Sequence, residues 1–135
     1  MIYYLTKEEI IYLNKIMIDI FGGVYFVGSD NVRNSNSFEF LINASDQVIF
    51  GKELYDTIFI KGAVYLFYII KDHIFNDGNK RTGVMSVFLF LAKNNIRIKE
   101  QVNSPRVVRY AERIAICKPS IEQISRWLRR ISNLH

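Results

Sequence analysis

The sequence predicts an all-α fold in which 135 residues form one compact domain, residues 1–135, with five main helices and one or two short ones. Apolar residues recur at helical spacing in several segments, and capping residues or prolines precede three of them. Two central segments are apolar nearly all round, which is typical of helices buried in a core. The β-branched residues between 53 and 70 are the main argument against this class, because they also favour strands.

The N-terminal helix is predicted by the capping-box pair Thr6 and Glu9, which precedes a mostly apolar run at helical period. The glycine pair at 22–23 ends this helix. Residues 24–37 mix aromatic residues with Asn, Ser and Gly, so we predict a loop there, with a short extended piece. A short helix is predicted over Ser37–Asn43.

Four longer helices are predicted after a second loop through residues 50–51. The two central, apolar helices span Glu53–Ile70 and Thr82–Asn94. The two C-terminal helices each begin at a pair of Ser and Pro, which suits a helix start, and they are predicted over 104–116 and 119–131.

The composition excludes several classes of protein. Half of the residues are hydrophobic, which argues against a disordered chain. The longest uncharged apolar run, Gly62–Ile70, is far shorter than the ~20 residues of a membrane span. The single Cys117 cannot form an intramolecular disulfide, and no signal peptide is recognisable, so we expect a soluble protein of the reducing cytoplasm, with no membrane partner.

The net charge of +5 is concentrated in the C-terminal part of the chain. Residues 97–135 carry nine Lys and Arg against three Glu, a net of +6. This basic region indicates an acidic partner, either nucleic acid or an acidic protein segment, or is only a solvated cationic face. A non-enzymatic DNA-binding module is therefore one alternative. Because Arg106, Arg109 and Arg113 share one exposed stripe, we do not expect the protein alone to bind nucleic acid.

The segment between the two central helices, HIFNDGNKRTG from His73 to Gly83, is densely polar. Gly78 permits a tight turn at which successive N–H groups face one point, and the free amides of the following helix point the same way. Lys80 and Arg81 stand at the positive end of that helix, where acidic residues are usual. An anion would resolve this conflict, so the segment predicts a binding site for a phosphate chain.

The other side chains of this segment suit the same site. Asp77 offers the hard oxygen ligand that Mg²⁺ prefers beside phosphates. Asn79 can donate a hydrogen bond to a phosphate oxygen, and His73 is placed to take a proton from an attacking hydroxyl group. Phe75 is predicted to anchor the turn in the core. Each residue alone is as readily structural, since Asp-Gly-Asn is also common in ordinary turns, and only the combination indicates this chemistry.

HIFNDGNKRT resembles the signature of the Fic/Doc superfamily, roughly H-x-F-x-[D/E]-[G/A]-N-[G/K]-R. Within it, Asp77 and Lys80 resemble the Doc, or death-on-curing, branch. The likeness extends to IYYLTKEEIIYLNKIMIDIFGG at the start, to LFLAKNNIRI after the motif and to the C-terminal helical pair, and it is weakest over residues 24–60. It implies a compact Fic/Doc helical domain of about five to seven helices, with the motif loop between two central buried helices.

The resemblance also implies a role for each residue of the motif. His73 would be the general base that activates the hydroxyl of a target protein, and Asp77 would bind Mg²⁺. The phosphates of ATP would be held by four residues, Gly78, Asn79, Lys80 and Arg81.

One departure from the family pattern bears on the reaction. Adenylyltransferase members carry a second arginine three residues after the first, where this chain has Val84. Together with Lys80, this implies the inverted nucleotide of Doc and transfer of the γ-phosphoryl group to a Ser or Thr hydroxyl. The implied function is that of a type II toxin that phosphorylates elongation factor Tu, stops translation and is restrained by a cognate antitoxin. The alternatives are protein adenylylation and a degenerate member that only binds a partner.

Overall fold

The computed structural model describes residues 1–44, 48–49, 52–53 and 57–133. Within these ranges there are six α-helices: α1 Lys7–Phe21, α2 Ser35–Ala44, α3 Ile58–Lys71, α4 Asn79–Lys93, α5 Pro105–Cys117 and α6 Ile121–Arg130. A 3₁₀ turn, Val27–Ser29, precedes α2, and two antiparallel strands of two residues each, β1 Val48–Ile49 and β2 Lys52–Glu53, lie between α2 and α3. The predicted all-α class is confirmed over these residues.

Helices α3 and α4 form the centre of the core, with α3 in contact with α2, α4, α5 and α6. Two glycines lie where α3 and α4 meet. A Cβ atom on Gly62 would lie 3.0 Å from Val87 Cγ2, and one on Gly83 would lie 3.2 Å from Ile70 Cγ1, so glycine permits the close approach of the two helices. Within the described ranges, no helix combines the length and apolar character needed to cross a membrane.

The outer helices are stabilised by specific contacts. The predicted capping box is confirmed at α1, where the Thr6 hydroxyl accepts from the Glu9 N–H and the Glu9 carboxylate accepts from the Thr6 N–H. Helices α5 and α6 pack through the rings of Tyr110 and Trp127, which stack with centroids 4.0 Å apart. Arg129 of α6 lies over the ring of Phe59, with its Cζ atom 4.6 Å from the ring centroid.

Several helix boundaries differ from the sequence prediction. The prediction that the first central helix begins at Glu53 is wrong, because Glu53 belongs to β2 and Thr57 caps α3 by accepting a hydrogen bond from the Ile60 N–H. Helix α4 begins at Asn79, three residues before the predicted start, because Gly78 turns the chain directly into the helix. Helix α2 is slightly longer than predicted at both ends. The predicted loop at residues 50–51 lies outside the described residues.

Candidate active site

The polar segment between α3 and α4 lines a cleft of about 300 Å³. Six of the seven residues singled out in the sequence surround it: His73, Asp77, Gly78, Asn79, Lys80 and Arg81. Ile70, Asn76 and Ala115 complete its lining. A second hollow of about 320 Å³ shares Lys80, Arg81 and Ala115 with the cleft, and apolar residues of α5 form much of its wall.

The start of α4 faces this cleft without a capping side chain. Gly78 precedes the helix in the left-handed conformation, with φ 77°, and a Cβ atom here would lie 3.0 Å from Ile18 Cδ1. The first helical hydrogen bond joins the Thr82 N–H to the Gly78 carbonyl, so helix geometry leaves the preceding amides for other partners. The first turn carries no acidic residue and exposes Lys80 and Arg81. This end of the helix therefore attracts anions through both its dipole and its side chains.

Arg81 is positioned by an aromatic ring from another helix. Its guanidinium Cζ lies 4.3 Å from the ring centroid of Phe21, the last residue of α1. A planar guanidinium stacks well on such a ring and keeps its N–H groups free at its edge. The contact therefore restricts the guanidinium of Arg81, which lines the cleft, to the side of α4 nearest Phe21.

The Asp77 carboxylate is held by two backbone amides. Its Oδ2 accepts from the Val24 N–H at 2.9 Å, and its Oδ1 accepts from the Gly78 N–H at 2.8 Å. Among the described residues, no group of three His, Cys, Asp or Glu side chains is arranged to hold a metal ion. A single oriented carboxylate beside a phosphate site nevertheless fits Mg²⁺, which keeps several waters and takes further ligands from substrate phosphates.

His73 and Asn79 occupy opposite ends of the motif loop. His73 is exposed and adopts φ 47°, two residues after the end of α3. The Asn79 side chain reaches back to the loop, where its Oδ1 accepts from the Phe75 N–H and its Nδ2 donates to the Phe75 carbonyl, both at 2.9 Å. The ring of Phe75 is fully buried and packs edge-on against Phe38 with centroids 5.6 Å apart. Asn79 thus shapes the loop, and only its second amide proton remains for a ligand.

A family model described as the Fic/DOC family matches residues 4–91, which is more than half of the chain and includes the whole motif loop. The chain belongs to the Fic/DOC family. It is also 28% identical over 128 residues to Protein kinase doc of Escherichia phage P1, a match that covers 95% of this chain and 94% of that protein. This similarity places the chain in the Doc branch of the Fic/Doc superfamily.

In this Fic/DOC chain, residues 31–34 support the motif loop from the outside. The amides of Arg33 and Asn34 both donate to the Ile74 carbonyl, at 2.8 and 3.1 Å. The Asn76 N–H donates to the Asn31 carbonyl at 2.8 Å, and the Asn34 side chain donates to the Asp72 carbonyl at 2.7 Å. The loop is therefore paired on one side much like a short strand, which fixes its path across the cleft.

Sequence reasoning missed two buried asparagines beneath the loop, Asn14 and Asn31, both fully inaccessible to solvent. The signal for Asn14 was present, since it lies four residues after Ile10 on the buried face of α1. A polar side chain at such a position must find hydrogen-bond partners in the core. Asn31 gave no such signal, because it stands among the polar residues of a predicted loop.

Proposed function

We propose that this chain is an ATP-dependent phosphotransferase that modifies a Ser or Thr hydroxyl of a target protein and acts as the toxin of a toxin–antitoxin pair. The observation that carries the proposal is the meeting of His73, Asp77 and the uncapped, cationic start of α4 on one cleft. Membership of the Fic/DOC family and the similarity to Protein kinase doc support it.

The phosphates of ATP would bind at the start of α4. The free amides of the first helical turn would donate to the phosphate oxygens, and Lys80 and Arg81 would neutralise their charge. Both side chains also line the adjoining hollow, whose apolar wall includes Val102 and Val108. We place the nucleoside there, because a largely apolar wall beside a cationic rim suits a base attached to phosphates.

Asp77 is the residue that would hold Mg²⁺, since its carboxylate lies beside the phosphate site and is oriented by two amides. When bound, Mg²⁺ would offset the negative charge of the phosphates. The residues of the chain would hold the nucleotide in one orientation and would remove the proton of the target hydroxyl.

His73 would act as the general base. The oxygen of the target hydroxyl attacks the γ-phosphorus, its proton passes to the His73 imidazole, and the bond between the γ-phosphorus and the bridging oxygen breaks. The products are the phosphorylated protein and ADP. The exposure of His73 at the edge of the cleft supports this role, because a protein hydroxyl must reach it from outside.

Transfer of phosphoryl rather than AMP is favoured by two positions. Lys80 adds a charge at the first turn of α4, next to Arg81. Val84, one turn later, is apolar and only 2% exposed, so this position supplies no second guanidinium to the cleft. We therefore expect the γ-phosphate, and not the α-phosphate, to lie nearest His73.

Adenylylation of the target is the second candidate, because it uses the same scaffold. The experiment that separates the two reactions incubates the purified protein and a bacterial lysate with ATP labelled at either the α or the γ position. We expect one protein to acquire label from γ-labelled ATP only. Label transferred from α-labelled ATP would show adenylylation, and no transfer from either would contradict both candidates.

The biological setting is proposed from the same likeness. A cognate antitoxin would restrain the chain, and the basic C-terminal region, with nine Lys and Arg over residues 97–135, would suit an acidic segment of it. The target would be a translation factor, with elongation factor Tu the first candidate to compare with the labelled protein.

A further inference from the structure

We propose that Asn14 locks the peptide bond between Asp77 and Gly78 in the one orientation that presents its N–H group to the Asp77 carboxylate on the cleft side. Asn14 would then be a positioning residue for Asp77, which would hold the Mg²⁺ of Mg²⁺–ATP, although Asn14 itself lies on α1 beneath the loop. The expected effect on ATP binding rests on the proposed function. The orientation of the Asp77–Gly78 peptide is a property of the loop and can be tested without ATP.

The contacts of Asn14 define the lock. Its Nδ2 donates to the Asp77 carbonyl at 2.9 Å and to the Thr82 hydroxyl at 3.0 Å. In a trans peptide the carbonyl and the following N–H point in opposite directions. With the Asp77 carbonyl turned inward to Asn14, the Gly78 N–H must point outward, and it donates there to Asp77 Oδ1 at 2.8 Å on the cleft side.

A second asparagine determines which end of the Asn14 amide faces the loop. The Phe26 N–H, which can only donate, bonds to Asn31 Oδ1 at 3.0 Å. The Nδ2 of Asn31 must therefore face Asn14, where it donates to Oδ1 at 3.0 Å. This leaves the Nδ2 of Asn14 for the Asp77 carbonyl. The chain of hydrogen bonds from the Phe26 N–H through Asn31 and Asn14 to the Asp77 carbonyl therefore has a single consistent assignment of donors and acceptors.

The loop needs such a lock because glycine resists rotation of the adjoining peptide only weakly. Gly78 has φ 77° and ψ 17°, and no side chain limits its alternatives. In a rotated peptide the Asp77 carbonyl would face the cleft and repel a phosphate, while the N–H would be turned into the core. Asn14 disfavours that state because rotation would leave its buried amide without the carbonyl as acceptor.

Two variants test the lock, and a third is the matched control. Asn14→Asp keeps the shape and the acceptor for Asn31 but cannot donate to the Asp77 carbonyl, and Asn14→Leu removes both functions. Asn94→Leu is the control, because the Asn94 Nδ2 also donates to backbone carbonyls, those of Tyr3 and Phe90, but at the far end of α4.

The readouts are the Gly78 amide resonance in ¹H–¹⁵N spectra and the affinity for Mg²⁺–ATP by calorimetry. We expect both Asn14 variants to shift the Gly78 resonance and to weaken ATP binding about tenfold or more, since hydrogen bonds to charged groups are the strong ones. Asn94→Leu should lower the melting temperature and change neither readout.

Folded Asn14 variants with an unchanged Gly78 resonance and unchanged ATP affinity would overturn the proposal. Should both variants fail to fold, a crystal structure of the wild-type protein decides it, because an Asp77 carbonyl turned toward the cleft would contradict the lock. Should the wild type bind no ATP, the proposed function fails, while the Gly78 resonance of Asn14→Asp still tests the lock.

Discussion

At the scale of the residue, the candidate site depends on backbone amides being aimed correctly. Asp77 is oriented by the Val24 and Gly78 amides, and Asn79 closes the loop through Phe75. The residue types of the motif were evident from the sequence, because a histidine, an acid and two cations around a glycine point to phosphate chemistry. The groups that orient these side chains were not evident from the sequence. Val24, for example, contributes only its backbone N–H, which almost any residue has.

Gly23→Ala tests the support of Asp77. A Cβ atom at Gly23 would lie 2.8 Å from Asp77 Oδ2, and the residue has φ 136°, so alanine must displace the carboxylate or the chain. We expect the Mg²⁺ concentration that gives the half-maximal phosphotransfer rate to rise about threefold to tenfold. This corresponds to a loss of roughly 1 kcal/mol in the free energy of Mg²⁺ binding. The measurement is the rate as a function of Mg²⁺ concentration.

Gly28→Ala is the matched control for this variant, because a Cβ atom there would meet nothing within 4 Å. It should leave the Mg²⁺ dependence unchanged. An unchanged dependence in folded Gly23→Ala as well would show that the position of Asp77 does not govern metal use.

At the scale of the element, α1 is more than an outer layer of the core. It supplies Asn14 beneath the loop and Phe21 beside Arg81, and an ion pair between Glu9 and Lys93 ties it to the end of α4. The sequence predicted α1 from its capping box and apolar spacing, and it predicted α4 from its apolar run with a start three residues late, because these signals are local. Contacts between them depend on how the helices cross, and periodicity alone does not reveal this.

The tie between α1 and α4 makes stability depend on pH. Burial alone would raise the pKa of Glu9, but the hydrogen bonds and charge of Lys93 and the bonds from Thr6 outweigh it, so the pKa is lowered from its ordinary value of 4.5. A lowered pKa in the folded state stabilises the protein above the ordinary pKa and loses this contribution as the pH falls through the folded value.

Glu9→Gln isolates this effect, because glutamine preserves the capping box while it removes the charge. We expect the variant to be less stable than the wild type by only about 0.5–1 kcal/mol near neutral pH, because a partly exposed ion pair contributes little. The difference should vanish in acid, where Glu9 is protonated. Urea unfolding at several pH values measures it. Glu39→Gln is the control, because the side chains of the Glu39–Lys7 pair are 57% and 40% exposed, and it should show a smaller difference in stability. A destabilisation by Glu9→Gln that persists in acid would contradict the assignment of the effect to the charge of Glu9.

At the scale of the whole molecule, the two central helices α3 and α4 present the loop between them, and α5 closes the far side of the cleft through Ala115. The fold class followed from local patterns, and the family from one motif with its flanking segments. The short strands at 48–49 and 52–53 were not predicted, since two-residue strands leave no alternating pattern to read. The partner of the basic C-terminal region stays a prediction.

We propose that this cleft transfers a phosphoryl group with His73 as the base. The most direct measurement compares wild type and His73→Ala for transfer of label from γ-labelled ATP to the target protein, with ATP affinity and melting temperature measured on both. We predict that the variant folds, binds ATP and loses transfer by a factor of about 100 or more, the usual contribution of a positioned base. Transfer at the wild-type rate by His73→Ala would contradict the account.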